Sequence, residues 1–305
     1  MSKEDTHNRR KKTYSYLLIT TLCWGASLVI VKPALEFTSP FRFLFYRYLV
    51  ATTVFSLFYL SKKRDKLAKV PLTRVIALEL LATVVSLSIL FYGLSQTTAI
   101  EASLIGTTGP VFITLAGIFL LKEKQERCEW AGLLLSVIGS ILIITSQNGL
   151  NNKISLLGNL FVLTYNITNA LYYVLAKKYY HQLDKALVGA ISFIVGLIGF
   201  FIINLILAHG EFTKLMAQIA QDWTHRSVQV ASIYMGIFGS VIGFICYIKG
   251  QENIEASEAS LFAYLNPLIY LPLGILLLGE TVSSQQIIGL GVVFLGILLA
   301  GQRTH

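Results

Sequence analysis

The stretch EASLIGTTGP, Glu101 to Pro110, returns as EASLFAYLNP, Glu258 to Pro267. The same interval of 157 residues carries Gly117 onto Gly274, Glu123 onto Glu280, Gly132 onto Gly289 and Gly139 onto Gly296, with no gap. Pro, Glu and Gly held in register over so long a run mark an internal duplication, and the rest of the chain is read outward from it.

Of 305 residues 54% are hydrophobic and only 13% charged. A soluble domain carries about 25% charged residues, so this chain cannot cover a water-facing surface and its partner is the lipid bilayer. The formal net charge of +9 comes from short Lys and Arg blocks between apolar runs. That is the pattern of membrane loops and not of a nucleic-acid face. Cys23, Cys128 and Cys246 are far apart and match no metal-ligand or redox spacing.

Residues 1–12 form a polar tail ending in Arg9-Arg10-Lys11-Lys12. The apolar run from Thr13 to Val31 is long enough for hydrocarbon roughly 30 Å thick, and no small-x-small cleavage site follows it, so it reads as a first span and not a signal peptide. Pro40 opens a second span to about Leu60, and Pro71 a third to about Leu94. The fourth covers about Ala99–Leu121 and the fifth Trp130–Thr145, and Gln147–Lys153 is the midpoint linker. The second half repeats the count with spans near Ile154–Ala176, Ala186–Ala208, Ser227–Ile248, Ala256–Leu278 and Gln285–Ala300. Span 6 aligns on span 1 at an interval of 145, as from Lys32 to Lys177, so the second half holds twelve extra residues. They fall in Glu211–Arg226, where Phe212, Leu215, Met216, Ile219 and Trp223 recur at helical spacing and predict a short interfacial helix.

With the N-terminus inside, nineteen Lys and Arg fall in cytoplasmic segments and five outside, with Arg47 inside span 2. The expected fold is therefore all-α and integral to the membrane, with ten transmembrane helices and both termini cytoplasmic. Five spans per repeat is odd, so the repeats, residues 13–147 and 148–305, are expected to be inserted in opposite senses. Lys122-Glu123-Lys124 becomes Gly279-Glu280-Thr281, losing both lysines where the loop moves outside. Inverted repeats are a transporter signature, with the substrate site near the midplane.

Overlaying the repeats picks out the candidate site. Thr20, Trp24 and Ser27 share a face of span 1, and Tyr165, Asn169 and Tyr172 take their places on span 6. Ser103, Thr107, Pro110 and Thr114 on span 4 map to Ser260, Tyr264, Pro267 and Leu271 on span 9, and Glu79, Thr83 and Ser86 on span 3 to Gly236, Ser240 and Gly243 on span 8. The small residues of span 8 leave room for a cavity or for tight packing, and the Ser, Thr and Gly stripes of spans 5, 7 and 10 read as helix–helix seams. Pro110 and Pro267 each remove a backbone hydrogen bond inside a span and stand as hinges or as static kinks.

Glu79 lies roughly 12 Å into span 3 and Arg47 roughly 10 Å into span 2. Such charges are costly in lipid and functional by default. They could pair, meet substrate charges or bind protons, and Glu79 is expected to titrate during transport. Glu101 and Glu258 sit at helix N-termini, where capping accounts for them. The five histidines lie in tails and loops, and no nucleophile elbow, zinc-protease motif or phosphate loop occurs. No catalytic residue, metal ligand or cofactor is expected, so the chain is not read as an enzyme.

Trp24-Gly25, Arg47, the Glu-Ala-Ser-Leu run before the span-4 proline, the Glu123 loop, Gly132 and Gly139, and their echo in the second half resemble the drug/metabolite transporter superfamily, in its ten-helix EamA-like branch. The resemblance covers about Tyr14 to Gly301. It implies an inner-membrane carrier of two inverted repeats around a central cavity, often exporting amino acids or other small metabolites. The second copy departs from it, with Asn169-Ala170 in place of Trp24-Gly25 and Ser192 in place of Arg47. Three functions follow for consideration: a small-metabolite exporter, a flippase for a lipid-linked headgroup, and an intramembrane enzyme or receptor-like scaffold, for which paired carboxylates and His ligands are missing.

Overall fold

Inside a bilayer no water meets the backbone, so a spanning segment pairs its N–H and C=O groups internally, and an apolar chain does so as helix. The computed structural model describes residues 3–60, 71–122, 127–146, 152–180, 183–250, 262 and 265–300, and no strand occurs among them.

In chain order the first predicted span is α1 (Lys3–Gly25), α2 (Ser27–Val31) and a 3₁₀ turn at Lys32–Glu36. Neither Pro nor Gly stands between Lys3 and Thr13, and the helix of span 1 runs back through the polar tail to Lys3. Span 2 is α3 (Pro40–Leu60); span 3 is α4 (Leu72–Glu79), a π-helical stretch at Leu80–Ser86, and α5 (Leu87–Gln96). Span 4 is split into α6 (Ala99–Gly106) and α7 (Gly109–Leu121), and span 5 is α8 (Arg127–Ile144). Then follow α9 (Asn152–Tyr179), α10 (Lys185–Leu207) and the expected interfacial helix α11 (Phe212–Asp222). Span 8 is α12 (Arg226–Tyr234), a second π-helical stretch at Met235–Ile242, and α13 (Gly243–Gly250). Last come α14 (Pro267–Leu278), the described part of span 9, and α15 (Ser284–Ala300). Among the described residues five helical stretches are long and apolar enough to cross a membrane, and Trp130–Ile144, Pro267–Leu278 and Ser284–Gly296 are shorter apolar helices.

The chain forms two compact units, one of Met1–Leu72 with Leu183–Leu278, the other of Thr73–Gln182 with Gly279–His305. Each draws helices from both sequence halves.

In the first unit α3 packs on α10. A Cβ at Gly196 would lie 2.4 Å from the Tyr48 ring, so only glycine lets the helices close. Thr52 donates to the Phe193 carbonyl at 3.1 Å and Asn204 to that of Phe41 at 2.9 Å. Helix α11 is tied down by its last residue. Asp222 is buried and accepts from Arg42 Nε at 2.7 Å, from Tyr46 Oη at 2.8 Å and from the Thr38 hydroxyl.

In the second unit α8 packs on α15 with backbones nearly touching, as a Cβ at Gly296 would lie 2.5 Å from the Gly132 carbonyl oxygen. This is the seam read from the glycine stripes. Helix α5 meets α9 in the same way, with a Gly93 Cβ 2.9 Å from the Gly158 carbonyl oxygen. Two side-chain acceptors close the N-terminus of α6. Thr98 accepts from Glu101 N at 3.0 Å, and the Glu280 carboxylate takes Ala99 N and Ile100 N, both at 2.7 Å. The Glu101 carboxylate, expected to serve this end, turns to the α9 side, where Asn159 donates to it at 3.2 Å. Glu258 lies outside the described residues.

Candidate functional site

In the first unit three side chains converge on the π-helical stretch and its exit. Each π turn skips a residue in the hydrogen-bond ladder and leaves carbonyls open to outside donors. Trp24 Nε1 donates to the Gly239 carbonyl at 3.0 Å, Thr20 to that of Gly243 at 3.4 Å, and Arg47 Nε to Ser240 Oγ at 2.9 Å. The sequence reading placed Thr20 and Trp24 on one face of span 1 and singled out Arg47 apart from them, and here all three meet within five residues of one span. The Trp24 ring stands 5.3 Å from Tyr247, and Arg47 lies over the Tyr48 ring at 5.6 Å.

The small residues of span 8 serve packing. A Cβ at Gly243 would sit 2.6 Å from Trp24 Nε1, and one at Gly236 would sit 2.5 Å from Val50 Cβ. Ser27 donates to the Trp24 carbonyl at 2.7 Å, so its hydroxyl is used within its own span, across the junction of α1 and α2.

In the second unit the polar centre is Glu79, which is 1% exposed. Its Oε1 accepts from Tyr180 Oη at 2.9 Å and from Tyr172 Oη at 3.1 Å. The π-helical stretch Leu80–Ser86 begins at the next residue. Shifted by 157 it becomes 237–243 and overlaps Met235–Ile242, so spans 3 and 8 widen at matching places. Thr83 bonds back to the Glu79 carbonyl at 2.6 Å and Ser86 to that of Leu81 at 2.7 Å, uses of the hydroxyl internal to the helix. Tyr165 and Asn169 are half-buried on α9. The Asn169 amide has no hydrogen-bond partner among the described residues, although the indole N–H of its counterpart Trp24 is bonded. Arg47 and Glu79 belong to different units. Tyr264 lies outside the described residues.

Both hinge candidates open new helices. Thr107 and Thr108 form the break between α6 and α7, with Pro110 in the first turn of α7, and Pro267 is the first residue of α14. Thr107 caps α6 and donates to Leu104 O at 2.6 Å. The carbonyl five residues before each proline is held by a side chain from another span. Asn166 Nδ2 donates to Ile105 O at 2.8 Å and to Thr108 Oγ1 at 3.0 Å. In the first unit Thr21 donates to Phe262 O at 3.2 Å. Ile105 and Phe262 stand 157 apart, Thr21 and Asn166 stand 145 apart, and so the two clasps are the same contact made twice.

The sequence reading missed Asn166, Asn159 and Asp222. The first two carried a signal, since they are seven residues apart and therefore on one helix face toward α6. Asp222 carried none, for its partner Arg42 is 180 residues away.

The model of the EamA-like transporter family matches residues 11–145 and again 156–302. An uncharacterized transporter of Clostridium kluyveri is 26% identical over 302 residues, which is 95% of this chain and 93% of that one. One from Archaeoglobus fulgidus is 27% identical over 300 residues, covering 96% and 99%. Protein PagO of Salmonella typhimurium is 23% identical over 296 residues, covering 95% and 93%. A solved crystal structure shares the fold with a TM-score of 0.63 at 16% identity, over 96% of this chain and 95% of that one.

Proposed function

The chain belongs to the EamA-like transporter family, and from that premise we propose that it is an exporter of small metabolites such as amino acids. It is a multi-pass membrane protein, and we read it as ten spans in the inner membrane with both termini, including the tail 1–12, in the cytoplasm. The repeats 13–147 and 148–305 are inverted, and a central cavity between them opens to each side in turn. Its chemistry is carriage without catalysis.

The observation that carries this reading is the pair of clasped breaks at Pro110 and Pro267. A proline in mid-span leaves a helix able to bend, and matching breaks in two repeats point to the moving parts of a carrier. A side-chain bond of this kind contributes only about 0.6 kcal/mol in a membrane protein. It therefore holds each break without locking it.

Trp24 and Asn169 are the proposed substrate contacts. Trp24 offers an indole ring beside Tyr247, and Asn169 offers an amide without a hydrogen-bond partner among the described residues. Thr20 stands with Trp24 on span 1, and Tyr165 and Tyr172 stand with Asn169 on span 6. The Tyr-rich span 6 suits an aromatic or amphipathic solute.

The test is flux of a mixed amino-acid and metabolite panel through proteoliposomes. We expect a few compounds to move, and Trp24→Ala or Asn169→Ala to reduce their flux at least tenfold. Movement confined to lipid-linked headgroups would replace the reading with that of a flippase.

A further inference from the structure

We propose that Glu79 is the proton-binding group of this carrier, and that Tyr172 and Tyr180 are the latch that reads its charge. The inference rests on the transporter reading for its role in coupling, but the proton site itself does not.

Four observations lead to it. Glu79 is 1% exposed, and an ionisable group buried within a span is a functional site by default. A metal ion would need more ligands, and no cluster of three or more His, Cys, Asp or Glu occurs among the described residues. Both phenols donate to the same oxygen, Oε1, so one carboxylate oxygen carries both ties to α9 and the residue after it. Finally, Glu79 closes α4 at the point where the helix widens into the π-helical stretch, a feature common at functional sites.

The consequence is mechanical. Ionised Glu79 ties the head of span 3 to the C-terminal end of α9 through two charge-assisted hydrogen bonds, which are roughly twice as strong as neutral ones. A protonated carboxyl is a weaker acceptor, so proton binding loosens both ties at once and frees α9 to move relative to span 3.

The other titratable and charged groups of these elements are few. Arg74 of α4 and Lys178 of α9 both lie over the Tyr179 ring, at 5.7 and 5.6 Å. Tyr173 packs against Tyr172, Lys177 completes the last turn of α9, and α5 offers only Tyr92, which stacks on Phe161. The 157 interval carries Glu79 onto Gly236, where Val50 takes the space a side chain would need. The device is present in one repeat only and handles a single proton per cycle.

The test uses the full chain in lipid. Infrared difference spectra across a pH titration should show a protonated-carboxyl C=O band that Glu79→Gln removes. Tyr180→Phe should keep the band and move it to higher frequency, because its oxygen loses a donor. In proteoliposomes loaded with a labelled amino-acid mixture and holding equal amounts of folded protein, Glu79→Gln should abolish accumulation driven by a pH gradient. A wild-type chain that moves no amino acid but shows the Glu79 band would sink the carrier reading and uphold the proton site. A titrating band unchanged in Glu79→Gln, or gradient-driven accumulation at the wild-type rate in that variant, would overturn the proposal.

Discussion

Trp24 joins span 1 to span 8 through a single donor, the indole N–H on the Gly239 carbonyl. Trp24→Phe keeps an aromatic ring but removes that donor and part of the indole, and we expect a loss of at least about 0.6 kcal/mol, the usual size of a side-chain bond in a membrane bundle. Denaturation in mixed micelles measures it, and a loss larger than 2 kcal/mol would mean that the ring packing matters more than the bond. Asp222 is different in kind. It gathers Arg42, Tyr46 and Thr38 at the end of α11, with Arg42 19% and Asp222 4% exposed at the side chain. Removing one partner of a buried pair leaves a charge uncompensated, so Asp222→Asn should destabilise by about 3 kcal/mol. The readout is trypsin cleavage at the exposed Lys214 and Arg226, which should rise in the variant. Trp24 and Glu79 could be read from the sequence because a bulky or ionisable residue stands out in an apolar run. Asp222 could not, because nothing local distinguishes it from any other polar residue of a connecting segment.

At the scale of elements, the widened turns and the broken helices decide what can move. The prolines announced the breaks, since a missing N–H is a local property. The π-helical stretches had no such announcement, for Leu80–Ser86 and Met235–Ile242 contain neither Pro nor an unusual run of residues. Their position follows from the packing of Trp24, Arg47 and α9 against them. The clasps define a prediction here. Asn166→Ala leaves Ile105 O its bond from Thr108 N at 3.0 Å, so folding should change by less than about 1 kcal/mol. Exchange of solute should instead change in rate, because the break between α6 and α7 loses its side-chain tie. Unchanged rates would make the clasp a packing detail. The seam of α8 and α15 should behave oppositely. A Cβ at Gly296 already meets Ser136 Oγ at 2.3 Å, so Gly296→Leu should cost about 3 kcal/mol or more by forcing the backbones apart. Protein yield and unfolding in detergent report it, with transport affected only in proportion to folded protein.

At the scale of the molecule, the duplication was visible in the first stretch quoted, and the matching contacts follow it. Thr21 to Phe262 and Asn166 to Ile105 repeat one clasp at both intervals. The grouping of helices into units that mix the two halves was not visible, because sequence similarity records ancestry and packing records neighbours. The proposed topology has its own test. Reporter fusions placed after His305 and within residues 61–70 should both report the cytoplasm, and an outside signal from either would overturn the orientation drawn from the nineteen cytoplasmic Lys and Arg. The claim on which the rest depends is that one cavity faces the two sides in turn. It is tested most directly by trans-stimulation in proteoliposomes, where the efflux of a labelled compound is timed with and without the same unlabelled compound outside. Alternating access predicts faster efflux when the far side is loaded, because the carrier returns occupied; efflux indifferent to the far side would contradict it.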